Sequence, residues 1–269
     1  DGGFSFYGKT KALAVYKTAL TDASLRSLTY PPAVATTFDL DFNTIADDFT
    51  FTRGSEATFV NAQGLIQSTA SNDAPRLDYS TGSEAFLLEP QSTNSLLQSN
   101  QFDTTWIPSA NIGLTSGQIG VGGSNNAWLI TRGSAFDNLY QPNSSFFTNT
   151  STISIYAKAN TYNFLRIAVA GVSEQAYFNL VDGTLGINTS LISSYSQNMG
   201  NGWWRLSATF QNNSAAGIYV QPVPNDGGVG VGGTGSIYIQ YAQVEQQSYA
   251  TSYIPTSGAT STRLQDIAN

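Results

Sequence analysis

The sequence predicts an all-β protein built around an antiparallel β-sandwich. A short β-meander and an N-terminal strand-plus-turn are expected to precede it. The first observation behind this is a series of runs after Trp106 that alternate apolar and polar residues: AWLITRG, STISIYAKAN, NFLRIAVAG, QAYFNLVDG, GWWRLSATFQ, AGIYVQPVP and GSIYIQYAQVEQ. Alternation with a period of two marks strands with one buried face, and many such runs in succession mark a sandwich. The second is the spacing of Gly, Asn, Asp and Pro clusters between the runs, which places turns at hairpin intervals. The third is composition: only 11% of the 269 residues are charged and 12% are aromatic, mostly Tyr and Phe, the coating expected of hydroxyl- and amide-bearing sheets.

At the N-terminus, residues 4–16 read FSFYGKTKALAVY and suit a strand pair. In the following KTALTDASLRSLT, Thr21 or Asp22 stands in N-cap position before a short amphipathic turn carrying Leu25 and Leu28. Residues 30–37, YPPAVATT, combine restricted φ with few donors and read as an extended linker. From there to about residue 98, the short runs FDLDF, FTFTRG, ATFVNAQGLI and AFLLEPQSTNSLL form a meander of small hairpins. Asn61-Ala62-Gln63-Gly64 supplies one of its turns, with Gly64 able to take positive φ.

In the sandwich, the run GWWRLSATF assigns Trp204, Leu206, Ala208 and Phe210 to one face and Trp203, Arg205, Ser207 and Thr209 to the other. The first set reads as core and the second as outward. The glycine-rich VPNDGGVGVGGTGS reads as a mobile loop between strands. It does not read as a phosphate cradle, because a strand and not a helix follows it.

Composition narrows the chemistry. Without Cys or His there is no disulfide, no thiolate or Ser-His-Asp nucleophile and no Cys- or His-based zinc site. Eleven Lys+Arg against 18 Asp+Glu give a net charge of -7 with no basic run, which disfavours nucleic acid. No apolar run approaches the ~18 residues of a membrane span. The chain opens at Asp1-Gly2-Gly3, as expected of a fragment or processed product.

The remaining route to catalysis is a pair of carboxylates, as in glycoside hydrolysis. Asp39 and Asp41 share a strand face and Asp47-Asp48 follows, but a solvated edge that resists strand pairing is the simpler reading. Sugar recognition instead needs aromatic faces beside amides and carboxylates. Trp203 is the foremost candidate, with Tyr162, Tyr177 and Tyr140 beside it, each weighed against a plain packing role.

Three stretches resemble known families. VYKTALTDASLRSLT resembles the end of a laminin-G or concanavalin-like domain, which implies that residues 1–29 are the C-terminal remnant of one. FTRGSEATFVNAQGLI, then NDAPRLDY, then FLLEPQSTNSLLQSNQFDTTW resemble a module of tailed-phage structural proteins, so residues 38–95 are expected to be a connector. The usual pattern carries Arg where Ser92 precedes Thr93-Asn94 here, which puts its ion pair in doubt. Residues 96–269, with "GWWRLSATF" and the closing "YIQYAQVEQQSYATSYIPT", resemble a carbohydrate-binding jelly roll.

These resemblances imply a non-enzymatic virion fibre or tail protein, extracellular after release, whose terminal jelly roll binds host surface glycan. A homo-oligomer, trimer favoured, and other virion proteins are the implied partners. No cofactor is expected beyond a structural Ca²⁺ of the kind such jelly rolls carry between first and last strands, to which Asn94 and Glu245 are the implied contributors. A purely structural decoration or assembly module, and a carboxylate-based depolymerase, stand as alternatives.

Overall fold

The computed structural model describes residues 8–10, 50–142, 150–211 and 216–268, the first of these segments as backbone only. The strand and helical turn expected around residues 11–29, the linker at 30–37 and the acidic group Asp39, Asp41, Asp47 and Asp48 lie outside the described residues. Among those described, the regular structure is β apart from one 3-10 turn at Gly228–Gly230.

Seven short strands come first: β1 (Gly8–Thr10), β2 (Phe51–Thr52), β3 (Thr58–Val60), β4 (Ile66–Ser68), β5 (Leu77–Asp78), β6 (Ala85–Leu88) and β7 (Ser92–Asn94). The β3–β4 hairpin turns as the sequence predicts. Gly64 has φ 77°, and the Asn61 side chain accepts from the Gln63 and Leu65 N–H groups at 3.0 Å each. β1 pairs antiparallel with β6, which also pairs with β5.

Twelve further strands make the sandwich: β8 (Ile107–Pro108), β9 (Ile112–Gln118), β10 (Ala127–Arg132), β11 (Leu139–Pro142), β12 (Thr150–Ala159), β13 (Phe164–Ala170), β14 (Gln175–Asn179), β15 (Leu185–Thr189), β16 (Leu191–Gly200), β17 (Trp203–Gln211), β18 (Gly217–Val223) and β19 (Gly235–Glu245). They form two six-stranded sheets, a front sheet in the order β16-β17-β12-β19-β10-β9 and a back sheet in the order β15-β14-β13-β18-β11-β8. The chain passes back and forth between the sheets, the jelly-roll arrangement that the sequence predicts. β20 (Ser261–Arg263) and β21 (Ile267–Ala268) then return to pair with β7 and β2.

The core lies between the sheets because alternation delivers one side of every strand to it. Ile153, Ile155, Leu206, Ala208, Phe210, Ile237 and Ile239 enter from the front, and Leu139, Leu165, Ile167, Phe178, Ile218 and Val220 from the back. β19 keeps both ends in the core by means of a bulge: Tyr241 sits at φ 52°, so Ile237 and Ile239 point inward before it and Ala242 and Val244 after it.

The early strands lie over the outer side of the front sheet. Ile66 of β4 packs there with Val121, Ala127, Tyr156, Trp203 and Met199 in a second, smaller core. The C-terminal segment crosses the same surface. Thr152 Oγ1 donates to Gln247 O at 2.7 Å, Arg205 donates to Thr251 O, and the Gln243 side chain accepts from Ile254 N at 2.6 Å.

A buried charge network fastens this cover. Arg53 Nη1 lies 3.0 Å from Asp266 Oδ1, Arg76 Nη1 lies 2.8 Å from Glu89 Oε2, and Arg76 Nη2 also pairs with Asp266. Arg263 approaches Glu89 at 3.6 Å. Three of the motifs that mark residues 50–98 (FTRGS, APRLDY and LLEP) therefore contribute one charge each to a cluster closed by the C-terminal tail. Their role here is to join the two ends of the described chain.

Candidate binding face on the back sheet

Structure separates the four aromatic candidates. Trp203 does point away from the main core, as alternation requires, but it is only 1% exposed because β4, the β9–β10 loop and Met199 cover that face. The expectation that it faces outward for a sugar is corrected by this second layer, which sequence alternation cannot register. Tyr162 is also buried, and its ring lies on β19 where Gly235 leaves room: a Cβ at Gly235 would come 2.2 Å from the ring. It is a packing residue.

Tyr177 and Tyr140 share the outer face of the back sheet. Register places Tyr177, Arg166 and Gln221 in one cross-strand row, and Gln175, Ala168, Tyr219, Tyr140 and Ile107 in the next. No further strand layer lies over this face among the described residues. Tyr177 is nonetheless 1% exposed, because the 3-10 turn closes over it, so it is not a free platform. Tyr140 is half-buried. Its ring stands 5.2 Å from that of Tyr219, and its hydroxyl donates to Ala216 O at 2.7 Å. Burial raises the Tyr140 hydroxyl above its ordinary range, so it stays a neutral donor.

Arg166 stands beside this pair. Its Nε donates to Gln175 Oε1 at 2.7 Å, its Nη1 donates to Gln221 Oε1, and its guanidinium lies 6.0 Å from the Tyr177 ring centre. Gln221 is fixed in turn by donating to the Phe136 and Asp137 carbonyls at 3.2 and 3.1 Å. The guanidinium is thus pre-oriented by neutral groups that are themselves held.

One end of the face is bounded by the glycine-rich loop, which the sequence reads as mobile and the structure fastens. Arg132, at the end of β10, is fully buried and donates to the carbonyls of Ser134, Pro222, Gly228, Val229 and Val231. This ties the glycine-rich turn down without any carboxylate. On the neighbouring β10–β11 loop Phe136 is 65% exposed at φ 62°, a conformation that costs a bulky residue energy and is kept only where the surroundings impose it. Its N–H donates to Val229 O at 2.9 Å, and its ring packs on Gly230. Phe136, Arg166, Gln175 and Tyr219 are the residues of this face that sequence reasoning missed. Only the tertiary placement of their strands and loops sets them apart from dozens of similar residues.

A cleft of about 220 Å³ opens on the opposite side, between the meander and the front sheet, lined by Phe59, Asp78, Tyr156, Tyr195, Gln197 and Arg205 among others. Its polar groups are largely engaged by the chain itself. Asp78 accepts from Val60 N at 2.9 Å, Gln197 donates to Ser80 O, and Arg205 to Thr251 O.

The Ca²⁺ site implied for Asn94 and Glu245 does not fit the residues present. A hard cation takes six to eight oxygens, carboxylates foremost. Asn94 Oδ1 already accepts from the N–H groups of Leu96 and Val244, while its Nδ2 donates to Ile254 O at 2.8 Å. Both Glu245 oxygens are also taken, accepting from the Ser92 and Thr251 hydroxyls and from Thr251 N. Burial pushes the Glu245 carboxyl up, against the pull of its hydrogen bonds from Ser92, Thr251 and Gln243, toward the neutral form. Ser92 donates its hydroxyl to Glu245 Oε1 at 2.5 Å.

No protein-family model and no curated protein matches the chain. Among solved structures it is similar to the CBM22-1 xylan-binding domain of Xyn10C from Paenibacillus barcinonensis, with 11% identity and a TM-score of 0.32 over 59% of this chain and 94% of that one. It is also similar to the CBM22-1-GH10 modules of Clostridium thermocellum endo-1,4-beta-D-xylanase 10B complexed with xylohexaose, with 13% identity and a TM-score of 0.35 over 61% of this chain and 30% of that one.

Proposed function

We propose that the chain is a non-catalytic glycan-binding segment of a virion fibre or tail, and that its sugar-binding surface is the outer face of the back sheet. One observation carries the binding half: a half-buried Tyr140–Tyr219 pair beside Arg166 and Gln175, on a face over which no further strand layer lies among the described residues. Aromatic faces stack on pyranose rings while fixed amide and guanidinium groups hydrogen-bond their hydroxyls, and a preformed arrangement lowers the ordering cost of binding. The virion half rests on the motifs of residues 49–106, whose buried arginines make a connector.

A glycan array probed with the full chain tests the binding half, followed by titration of Tyr219→Ala with any oligosaccharide that binds. Loss of about tenfold or more in affinity is expected for a stacking tyrosine, with no change for Tyr195→Ala on the opposite side. Array silence, or an unaffected Tyr219→Ala, would remove the reading. Peptides of this chain in gradient-purified particles test the virion half.

A purely structural role in assembly has its own supporting observation. The two strands at one edge of the sandwich, LGINT in β15 and LISSYSQNMG in β16, carry no charged residue and expose Leu185, Ile187, Ile192 and Tyr195. Free edges are ordinarily guarded by charge. On this reading the edge packs against further copies in a homo-oligomer, a trimer favoured, and light scattering would return a mass above 28.7 kDa.

A further inference from the structure

We infer that the ligand of the back-sheet face is an anionic glycan, its carboxylate or sulfate held by Arg166. This rests on the proposal that the face binds sugar and adds to it the charge of the sugar.

The argument starts from what surrounds the guanidinium. Arg166 is half-buried in mid-strand on β13, and its hydrogen-bonding partners are the Gln175 amide, the Gln221 amide and the Tyr177 hydroxyl, all neutral oxygens. The ion pairs among the described residues engage Arg53, Arg76 and Arg263, with Asp266 and Glu89 as their acids, and none involves Arg166.

Other cations without a carboxylate have a different purpose. Arg132 is fully buried and spends its donors on backbone carbonyls to hold a loop, so it is closed to any ligand. Arg166 holds nothing comparable. Its two glutamine partners sit on β14 and β18, strands already joined to β13 by backbone pairing, so the side-chain bonds are not needed to hold the sheet. What they accomplish is to orient a cation at an outer surface.

A partly desolvated guanidinium with no countercharge is a standing electrostatic deficit, and an incoming anion relieves it through charge-assisted hydrogen bonds of planar, forked geometry. Neutral oxygens around the site contribute no repulsion. The Tyr140–Tyr219 pair in the next row gives the ring of the same sugar its apolar contact. Asp226, the acid beside Tyr177, is turned to the β15 backbone, where it accepts from Ile187 N at 2.8 Å.

The test uses the full chain against three matched oligosaccharide sets: uronic-acid oligomers, the same oligomers with carboxyls reduced to alcohols, and sulfated oligomers. Wild-type protein should bind a uronate or sulfated set at least about tenfold more tightly than the neutral set, the size expected when an ionised acceptor replaces a neutral one. Arg166→Gln should bring charged and neutral sets to the same affinity, and Arg166→Lys should retain part of the preference, which guards against a trivial folding defect. Preference for the uronate or for the sulfated set identifies the anion. Equal affinity of wild-type protein for charged and neutral sets would overturn the anionic assignment and leave sugar binding standing. Preference undiminished in Arg166→Gln would overturn the role of Arg166. Silence toward all three sets would remove sugar binding itself, and this inference with it.

Discussion

The two outer faces of the sandwich begin from the same sequence pattern and end in opposite states. Both sheets alternate core residues with Tyr, Arg, Gln, Ser and Thr. On the front sheet that second set, with Trp203, Tyr156, Gln243 and Glu245, is buried beneath the meander and the returning tail. On the back sheet the equivalent set, with Tyr140, Tyr219, Arg166 and Gln175, stays half-exposed. On the covered face Thr152, Arg205 and Gln243 bond the covering backbone, whereas on the open face Arg166 bonds the neighbouring Gln175 and Gln221. Whether an outward aromatic is structural or available is therefore decided by where the rest of the chain goes.

The contrast depends on the cover staying in place, and Asp266 is its keystone. It accepts from Arg53 and Arg76, and from Glu89 N at 2.8 Å. Asp266→Ala leaves two fully buried guanidiniums without that acid. It is expected to cost about 4–5 kcal/mol, the upper part of the range for breaking a buried pair, measured by urea unfolding. Below its unfolding transition the variant should retain the wild-type sugar affinity of the back face. A loss under 1 kcal/mol would show that the cover is not latched by charge.

Trp203→Ala and Tyr219→Ala compare the faces directly. Emptying the Trp203 site should cost about 3–4 kcal/mol, as for other large-to-small core changes, and leave glycan binding alone. Tyr219→Ala should cost less stability and lose binding. If instead Trp203→Ala abolished binding in a protein shown to be folded, the assignment of the two faces would be reversed.

These cases mark what is legible in sequence. The strands of the sandwich, the inward set Leu206, Ala208 and Phe210, and the Asn61–Gly64 turn all follow from local pattern, because strand period and turn chemistry are local properties. The inward or outward sense of Trp203 was also legible, but its burial was not, since the residues that cover it, Ile66 and Val121, lie 137 and 82 positions earlier in the chain. The same distance in sequence hid the partners of Arg53 and Arg76: Asp266 lies 213 and 190 positions away. Tyr140 is legible as a candidate, yet nothing local joins it to Arg166 or Phe136. The implied Ca²⁺ ligands failed for a related reason. Asn94 and Glu245 are polar and buried, but Leu96 N and Val244 N already donate to the Asn94 oxygen and Thr251 to both Glu245 oxygens, the places a cation would need.

Two acids beneath the cover make opposite predictions for pH. Burial pushes Glu89 up, but Arg263 and Arg76 beside it and two hydrogen bonds from Ser252 outweigh that and hold its carboxyl below the usual range. An acid depressed in the folded state stabilises fully above its unfolded value, roughly pH 4.3, and that contribution is lost as pH falls through the folded value. Wild-type stability should therefore drop in acid, and Glu89→Gln should flatten the drop while costing about 3 kcal/mol at pH 7. Unfolding free energies measured from pH 3 to 7 would decide it, and an unchanged slope would exclude Glu89 as its source.

Glu245 lies under the same cover with the opposite sign and the smallest expected effect. Among the described residues no arginine pairs with it directly. Its oxygens accept only from hydroxyl and N–H groups, and burial raises its carboxyl above the ordinary range. A raised acid stabilises fully below its unfolded value and loses that contribution as pH rises through the folded value. Glu245→Gln removes this charging cost and keeps an acceptor for Ser92 or Thr251. At pH 7 it should change stability by less than about 1 kcal/mol, in either direction. Its signature is a gain relative to wild type that grows as pH rises above the unfolded value, roughly pH 4.3, toward the raised folded one. A loss of about 3 kcal/mol, like that expected for Glu89→Gln, would mean that Glu245 is ionised in the fold and belongs with the arginine network.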